Sequence, residues 1–260
     1  MYIALPCLLL LDGYYKRPTL KTLIAISFLF GWIVLIRPTN ILFLIFIALY
    51  RVNSLAALKE RGLFLKARIR HILVAAPFFT LLIIPQLFYW KAMTGHWLSY
   101  SYGDEHFTYW GSPKILAVLF DTQNGWLLYS PVLLFLFWGL FARPRDARNS
   151  LPATLLVLVA ITYVFASWHA WWFGGAFGHR CYIEYYPILA FPLAVTLEML
   201  LAAKSKALKA SLFTLLFLFC YYSVGMATIY LTYGIWDGPY WRWNYDKWWD
   251  LVRVAFFLPV

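Results

Sequence analysis

Charge is scarce in this sequence. Asp, Glu, Lys and Arg make up 13% of the 260 residues, about half their usual share in a soluble domain. Acidic residues are the rarer sign, with 11 Asp and Glu against 22 Lys and Arg and a formal charge of +11. Cysteine is rarer still. Cys7, Cys181 and Cys220 lie far apart with no CxxC or other metal-type spacing, which argues against a disulfide framework or a zinc site and leaves three small apolar side chains. A nucleotide-binding glycine loop, an internal repeat, a low-complexity tract and a soluble domain are all missing. The surplus of positive charge does not mark a nucleic-acid partner, because basic residues that bind nucleic acid cluster on one exposed face. Here they fall in short gaps between apolar runs, as the positive-inside rule of membrane topology requires.

Apolar and aromatic side chains fill the space that charge leaves: 63% of residues are hydrophobic and 21% aromatic. This balance predicts an all-α, polytopic integral membrane protein of seven to eight membrane segments, some short or paired, with the lipid bilayer as its first partner. A multi-span region covers 1–232, and an aromatic tail covers 233–260.

The first apolar run, Tyr2 to Leu11, is about half the roughly twenty residues that a crossing needs. It has neither the basic start nor the small-residue cleavage site of a signal peptide, so it reads as the end of a helix whose beginning lay upstream in a longer ancestor. Leu20 to Tyr50 is apolar except for Arg37-Pro38-Thr39-Asn40 near its middle, and both flanks are basic. The segment therefore goes out and returns, with its turn at Pro38, which disfavours helical geometry at Arg37. Ile72 to Trp90 is the next crossing, followed by a long loop that carries Asp104, Glu105, His106 and Lys114. A short surface helix over Ile115 to Phe120, a turn over Asp121 to Gly125, and crossings over Trp126 to Ala142, Ala153 to Ser167, Ile188 to Ala203 and Ser211 to Leu231 complete the pattern. Beyond Tyr233 the charges are too dense for a crossing, but the tryptophans and tyrosines suit the headgroup level, and an interfacial helix is expected over Tyr245 to Phe257.

This topology gathers the mixed-sign residues on the outer side. The stretch Trp168 to Pro187, WHAWWFGGAFGHRCYIEYYP, packs His169, His179, Arg180 and Glu184 among Trp168, Trp171 and Trp172. Ionisable groups at a membrane mouth pose a functional-site question by default. Arg37 and Arg180 each offer a planar donor fork to a phosphate, and Lys114 adds a third positive charge. Arg180 can equally pair with Glu184 one helical turn later, and Arg37 can serve as a helix-end anchor. Asp104 and Glu105 are adjacent, and such carboxylates can bind a divalent cation, share a proton or simply be solvated. The spacing of His169 and His179 is not that of a zinc site. Tryptophan faces stack on sugar rings, and Gly174, Gly175 and Gly178 let backbone approach a ligand, so Trp168, His169, Trp171, Trp172, Gly174, Gly175, His179 and Glu184 form a candidate lip for a sugar or lipid headgroup. The same tryptophans also suit interfacial anchoring.

The RPTN after an apolar helix, the GHWLSYSYGDEHF loop, the NGWLLYSPVLL run and HAWWFGGAFGHR followed by YYPILAFPLA resemble the GT-C superfamily of polytopic membrane glycosyltransferases, distant relatives of protein O-mannosyltransferases and aminoarabinose transferases. The resemblance runs from about Ile24 to Ala202 and is strongest over Trp171 to Arg180. It implies transfer of a sugar from a polyprenyl-phosphate donor at the outer face of the bacterial inner membrane, by inverting displacement. In that family the catalytic acid usually sits in a first outer loop near the N-terminus, which has no counterpart here. The chain accordingly resembles the C-terminal part of such an enzyme, with Arg37 and Arg180 on donor phosphate and Asp104 or Glu105 in place of the acid. Two readings of other classes stand beside it: a flippase for a lipid-linked intermediate, which calls for internal repeats and mid-membrane polar residues, and a non-catalytic assembly subunit.

Overall fold

Apolar runs that must satisfy every backbone group within themselves have the helix as their natural solution. The computed structural model describes residues 3–100, 102–141, 150–174, 177–233 and 245–257, and among these there is helix and turn but no strand. In chain order the helices are α1 (Ala4–Lys16), α2 (Leu20–Ile36), α3 (Phe43–Leu49), α4 (Leu55–Ala67), α5 (Ile69–Thr94), α6 (Ile115–Phe120), α7 (Trp126–Tyr129), α8 (Leu134–Phe141), α9 (Leu151–Ser167), α10 (Tyr186–Ala202), α11 (Lys206–Tyr233) and α12 (Tyr245–Phe257). Short 3-10 turns at Pro38–Leu42, Pro131–Leu133 and Arg180–Tyr185 precede α3, α8 and α10. Among the described residues three stretches, Ile69–Thr94, Arg180–Ala202 and Lys206–Leu231, are long and apolar enough to cross a membrane, and four shorter apolar helices accompany them. The basic gap at 143–148 and the first part of the tail, 234–244, lie outside the described residues.

The chain divides into two compact units. The first comprises Met1–His106, Asp146–Ile161 and Glu184–Ile188, and the second Phe107–Arg145, Thr162–Ile183 and Leu189–Val260.

Within the first unit, α2 packs on α5 through small and aromatic side chains. Ser27 Oγ donates to the Ala75 carbonyl at 2.7 Å, and Phe30 stacks on Phe79 at 5.4 Å between ring centroids. At Gly31 a Cβ would lie 2.9 Å from the Phe79 carbonyl oxygen, so a residue without one is what lets the backbones approach. The end of α3 returns to the end of α1: Tyr15 donates to the Ile47 carbonyl at 2.8 Å, Tyr50 donates to Asp12 at 3.0 Å, and Arg51 reaches the same carboxylate at 2.5 Å. Since α2 starts just after α1, the pair α2 and α3 leaves and returns to one end, as the basic flanks predict.

The basic gap after α3 is not the loop that its charge suggests. Ser54 caps the helix α4 by accepting from the Ala57 N–H at 3.1 Å. Arg61 on this helix lies over the Tyr15 ring, 3.5 Å from its centroid, and donates to the Ala48 and Tyr50 carbonyls at 3.0 and 2.8 Å. It thus caps the last carbonyls of α3 with charge-assisted bonds. Arg61→Ala is expected to lower stability by about 2 kcal/mol, read as thermal unfolding in detergent, and Arg61→Lys, which lacks the fork, should recover little of it.

In the second unit, the run from Trp126 is not one continuous helix. Pro131 drives Ser130 out of helical geometry, to φ −133° and ψ 61°, so α7 stops at Tyr129 and α8 starts after a 3-10 turn. Helix α8 packs on α10 where Gly139 faces the Pro192 carbonyl. Helix α12 packs on α11 at Gly225 and Ala255, around a core of Tyr129, Tyr222, Met226, Ile229 and Val252. Tyr222 donates to the Leu128 carbonyl at 3.0 Å and accepts from Trp248 Nε1 at 3.2 Å.

Candidate functional site

In the first unit the Arg37-Pro38-Thr39-Asn40 corner has a defined local cause. Pro38 leaves Arg37 extended, with φ −153° and ψ 120°, and α2 ends at Ile36. The last carbonyls of α2 then need other donors. Asn40, 1% exposed, supplies one by donating Nδ2 to the Ile33 carbonyl at 2.9 Å. Tyr185 donates to the Thr39 carbonyl at 3.3 Å, tying the corner to the start of α10.

Arg37 Nη1 lies 3.4 Å from Glu184 Oε2 across 147 residues of sequence, with side chains 29% and 19% exposed. In the turn that follows Arg37, Thr39 Oγ1 and Asn40 Oδ1 are buried without hydrogen-bond partners. Buried polar atoms normally have partners, so an orphaned hydroxyl and an orphaned amide oxygen in one turn call for an explanation. Glu184 therefore meets Arg37 and not Arg180. The segment Arg180–Tyr185 is a 3-10 turn, whose three-residue period does not bring residues four apart onto one side. Arg180 is exposed and has no ion pair among the described residues.

In the second unit the tryptophan stretch is held by a neighbouring loop. Tyr109 N–H donates to the Ser167 carbonyl at 3.0 Å and Lys114 N–H to the Ala166 carbonyl at 2.9 Å. Phe107 sets its ring edgewise against Trp168 and Trp110, at 5.0 and 5.4 Å, and Trp110 packs on Tyr163 at 5.5 Å. His169 lies 5.1 Å from Trp168, and Trp171 and Trp172 meet at 85°, 5.6 Å apart. Asn124 Nδ2 donates to the Trp172 carbonyl at 2.7 Å. Phe173 then takes a positive φ of 46°, an unusual conformation for a bulky residue, immediately before Gly174. Trp168, His169, Trp171, Trp172 and Gly174 are half-buried, whereas Gly175 lies outside the described residues. Lys114 is exposed, with Nζ 4.7 Å from the Tyr109 ring centroid.

His179 sits inside this unit and not on an open lip. It is 2% exposed, between Phe173 at 5.7 Å and Tyr182 at 5.9 Å, with Nδ1 3.5 Å from Cys181 Sγ and Nε2 without a hydrogen-bond partner. Tyr182 in turn stacks flat on Trp126 at 3.8 Å. Burial pushes the imidazole down to about 3 from its ordinary 6.5. The ring is thus neutral in the fold and protonated in the unfolded chain at intermediate pH, so stability falls as pH drops through 6.5. The slope is about 1.4 kcal/mol per pH unit. Thermal unfolding followed from neutral to about pH 5 should show this loss in the wild type and a flatter profile in His179→Gln.

Asp104, Glu105 and His106, in the first unit, are all exposed. Their loop is held by its own backbone: His106 Nδ1 is 2.7 Å from the Asp104 carbonyl, Glu105 N–H donates to the Tyr102 carbonyl at 3.1 Å, and Tyr100 donates to the Glu105 carbonyl. Among the described residues no three His, Cys, Asp or Glu side chains gather closely enough to hold a metal ion. Of the residues singled out in the sequence, then, the structure pairs Arg37 with Glu184 and groups the tryptophans with His169. It leaves Lys114, Arg180 and the two carboxylates exposed. Thr39, Asn40, Tyr185 and Asn124 join as residues that sequence reasoning did not select. The signal for the first two was Pro38 itself, since a proline break in an apolar run leaves carbonyls that nearby side chains must cap. The chain matches no protein-family model, no curated protein and no solved structure.

Proposed function

We propose that this chain binds a polyprenyl-phosphate-linked sugar at the outer face of a bacterial inner membrane, as all or part of a membrane glycosyltransferase. The observation that carries the reading is the Arg37 corner: a half-buried guanidinium 3.4 Å from Glu184, at a proline turn whose Thr39 hydroxyl is buried without a partner. Arg37 presents a planar fork of donors, the geometry that matches the anionic oxygens of a phosphodiester. Thr39 Oγ1 adds a neutral donor, while Asn40 is occupied in holding the end of α2. The second unit, taken by itself, offers two exposed cations, Arg180 and Lys114, and the tryptophans Trp168, Trp171 and Trp172, residue types suited to a phosphate and to a sugar ring.

In the transfer step an acceptor hydroxyl attacks the anomeric carbon and gives its proton to Asp104 or Glu105. The carbon–oxygen bond to phosphate breaks, and polyprenyl phosphate leaves with that electron pair. Arg37 stabilises the charge that grows on the departing oxygen. Seven membrane segments require each of the four shorter apolar helices to enter the bilayer beside the three long ones, and an eighth requires α1 as well.

The test is equilibrium binding of a short-chain polyprenyl-phosphate sugar to the full chain in detergent, beside the same polyprenol without phosphate. Saturable binding of the first, with the second at least tenfold weaker, is the expected result. Equal binding of both would remove phosphate recognition from the account, and a folded sample that binds neither would leave a non-catalytic membrane subunit.

A further inference from the structure

Helix α4 carries two faces of opposite character. Ala57, Arg61, Phe64 and Arg68 form its half-buried stripe and turn toward the first unit, where Phe64 meets Tyr14 and Tyr15 at 6.0 and 5.4 Å and Arg68 lies over Phe64 at 4.1 Å. The other stripe is Leu55, Leu58, Lys59, Gly62, Leu63 and Lys66, which share one side of a helix by their three- and four-residue steps. All of them are exposed, Leu55 by 79% and Leu63 by 68%, and no residue of α4 is buried. Arg70 extends the positive charge one turn into α5. A helix that shows water three leucines interleaved with lysines lacks a cover on that side.

Both the charge and the position say what the cover is. Helix α5 begins two residues after α4 ends, and only 6% of its most apolar window is buried in the protein, so its surroundings are acyl chains if it crosses the bilayer. That places α4 at the level where α5 enters the headgroups. Lysines that flank leucines can bury their stems and extend their ammonium groups outward, the behaviour of interfacial helices on anionic lipid. A second copy of the chain is a poor occupant, because the same lysines would face each other. With the membrane reading of α5 as its premise, we infer that the Leu55, Leu58, Leu63, Lys59 and Lys66 face of α4, with Arg70, is a docking surface for anionic phospholipid headgroups. It is separate from the Arg37 corner. Such a surface would anchor the α4–α5 joint and orient α1 through the Phe64 contacts.

The test uses the full chain in nanodiscs, with Cys220→Ser to remove the exposed thiol and Leu63→Cys carrying an environment-sensitive fluorophore; Cys7 and Cys181 are buried. The discs are phosphatidylcholine alone or phosphatidylcholine mixed with phosphatidylglycerol. The expected result is a blue shift and a several-fold drop in iodide quenching when phosphatidylglycerol is present, reversed by high salt. Lys59→Gln/Lys66→Gln/Arg70→Gln, all at exposed positions, should lose the lipid-dependent change while unfolding at the wild-type temperature. A probe that stays equally quenched in both discs would overturn the inference. So would a blue shift of equal size in both, which means apolar burial without recognition of the headgroup, or protection that depends on two copies sharing a disc, which means self-association.

Discussion

Gly139→Ala is expected to cost about 3 kcal/mol or more, and Gly139→Val to yield no folded protein in detergent. A Cβ on Gly139 would stand 2.0 Å from the Pro192 carbonyl oxygen, 2.6 Å from Thr196 Oγ1 and 2.8 Å from the Pro192 carbonyl carbon. The obstacles cannot step aside easily. Two of them are backbone of α10, and the third is a hydroxyl held at 2.5 Å from the Phe135 carbonyl and 3.1 Å from the Pro192 carbonyl. Relief requires α8 and α10 to separate, which surrenders the close helix contact that small residues provide in membranes. Gly62→Ala is the control: nothing lies within 4 Å of its Cβ position, and a helical Gly→Ala change should stabilise by roughly 0.5–1 kcal/mol. Monodispersity on gel filtration and thermal unfolding of the three variants separate the outcomes.

Arg37→Ala is expected to weaken binding of the polyprenyl-phosphate sugar by roughly thirtyfold, equivalent to about 2 kcal/mol for a lost charge-assisted contact. Glu184 makes the sign of a second variant informative. As a carboxylate 3.4 Å from the guanidinium it competes with phosphate for the same donors, so Glu184→Gln should bind the ligand more tightly than wild type. Were the pair purely structural, Glu184→Gln would leave affinity unchanged or lower it. Removing Arg37 alone strands a half-buried carboxylate, which destabilises the corner irrespective of ligand. The double variant Arg37→Gln/Glu184→Gln avoids this and should unfold near the wild-type temperature while binding as weakly as Arg37→Ala. Arg180→Ala should weaken binding less, because its side chain is exposed and screened.

Local physics was legible in the sequence wherever one residue decides the outcome. Pro38 announced the extended Arg37 and the turn after it. The Ile115–Phe120 helix could be placed by the turn at Asp121 to Gly125, and the Tyr245–Phe257 helix by the tryptophans and charges of the tail. The same rule at Pro131 breaks the Trp126 run, where unbroken hydrophobicity hides the break. Helix α4 was missed because Lys59, Arg61 and Lys66 look like a basic loop, although Leu, Ala, Lys and Glu are all good helix formers. Long-range pairing was not legible. Nothing local to Arg37 names Glu184 as its partner, and the nearer Arg180 competes for the same carboxylate by spacing alone. The depth of His179 was hidden for a related reason: its cover comes from Phe173, Tyr182 and Cys181, which fold around it through a positive-φ residue that composition does not reveal.

The central claim is that the Arg37 corner receives the phosphate of a lipid-linked sugar. Photo-crosslinking tests it most directly, using a polyprenyl-phosphate sugar with a diazirine on the isoprenoid unit next to the phosphate, the full chain in nanodiscs, and peptide mapping of the adducts. The account predicts adducts on residues 36–42 and 183–186 that an excess of unlabelled ligand removes and that Arg37→Gln/Glu184→Gln abolishes. Adducts spread evenly over α5 and α11, unaffected by competitor or by the variant, would contradict it and leave the corner as a structural joint.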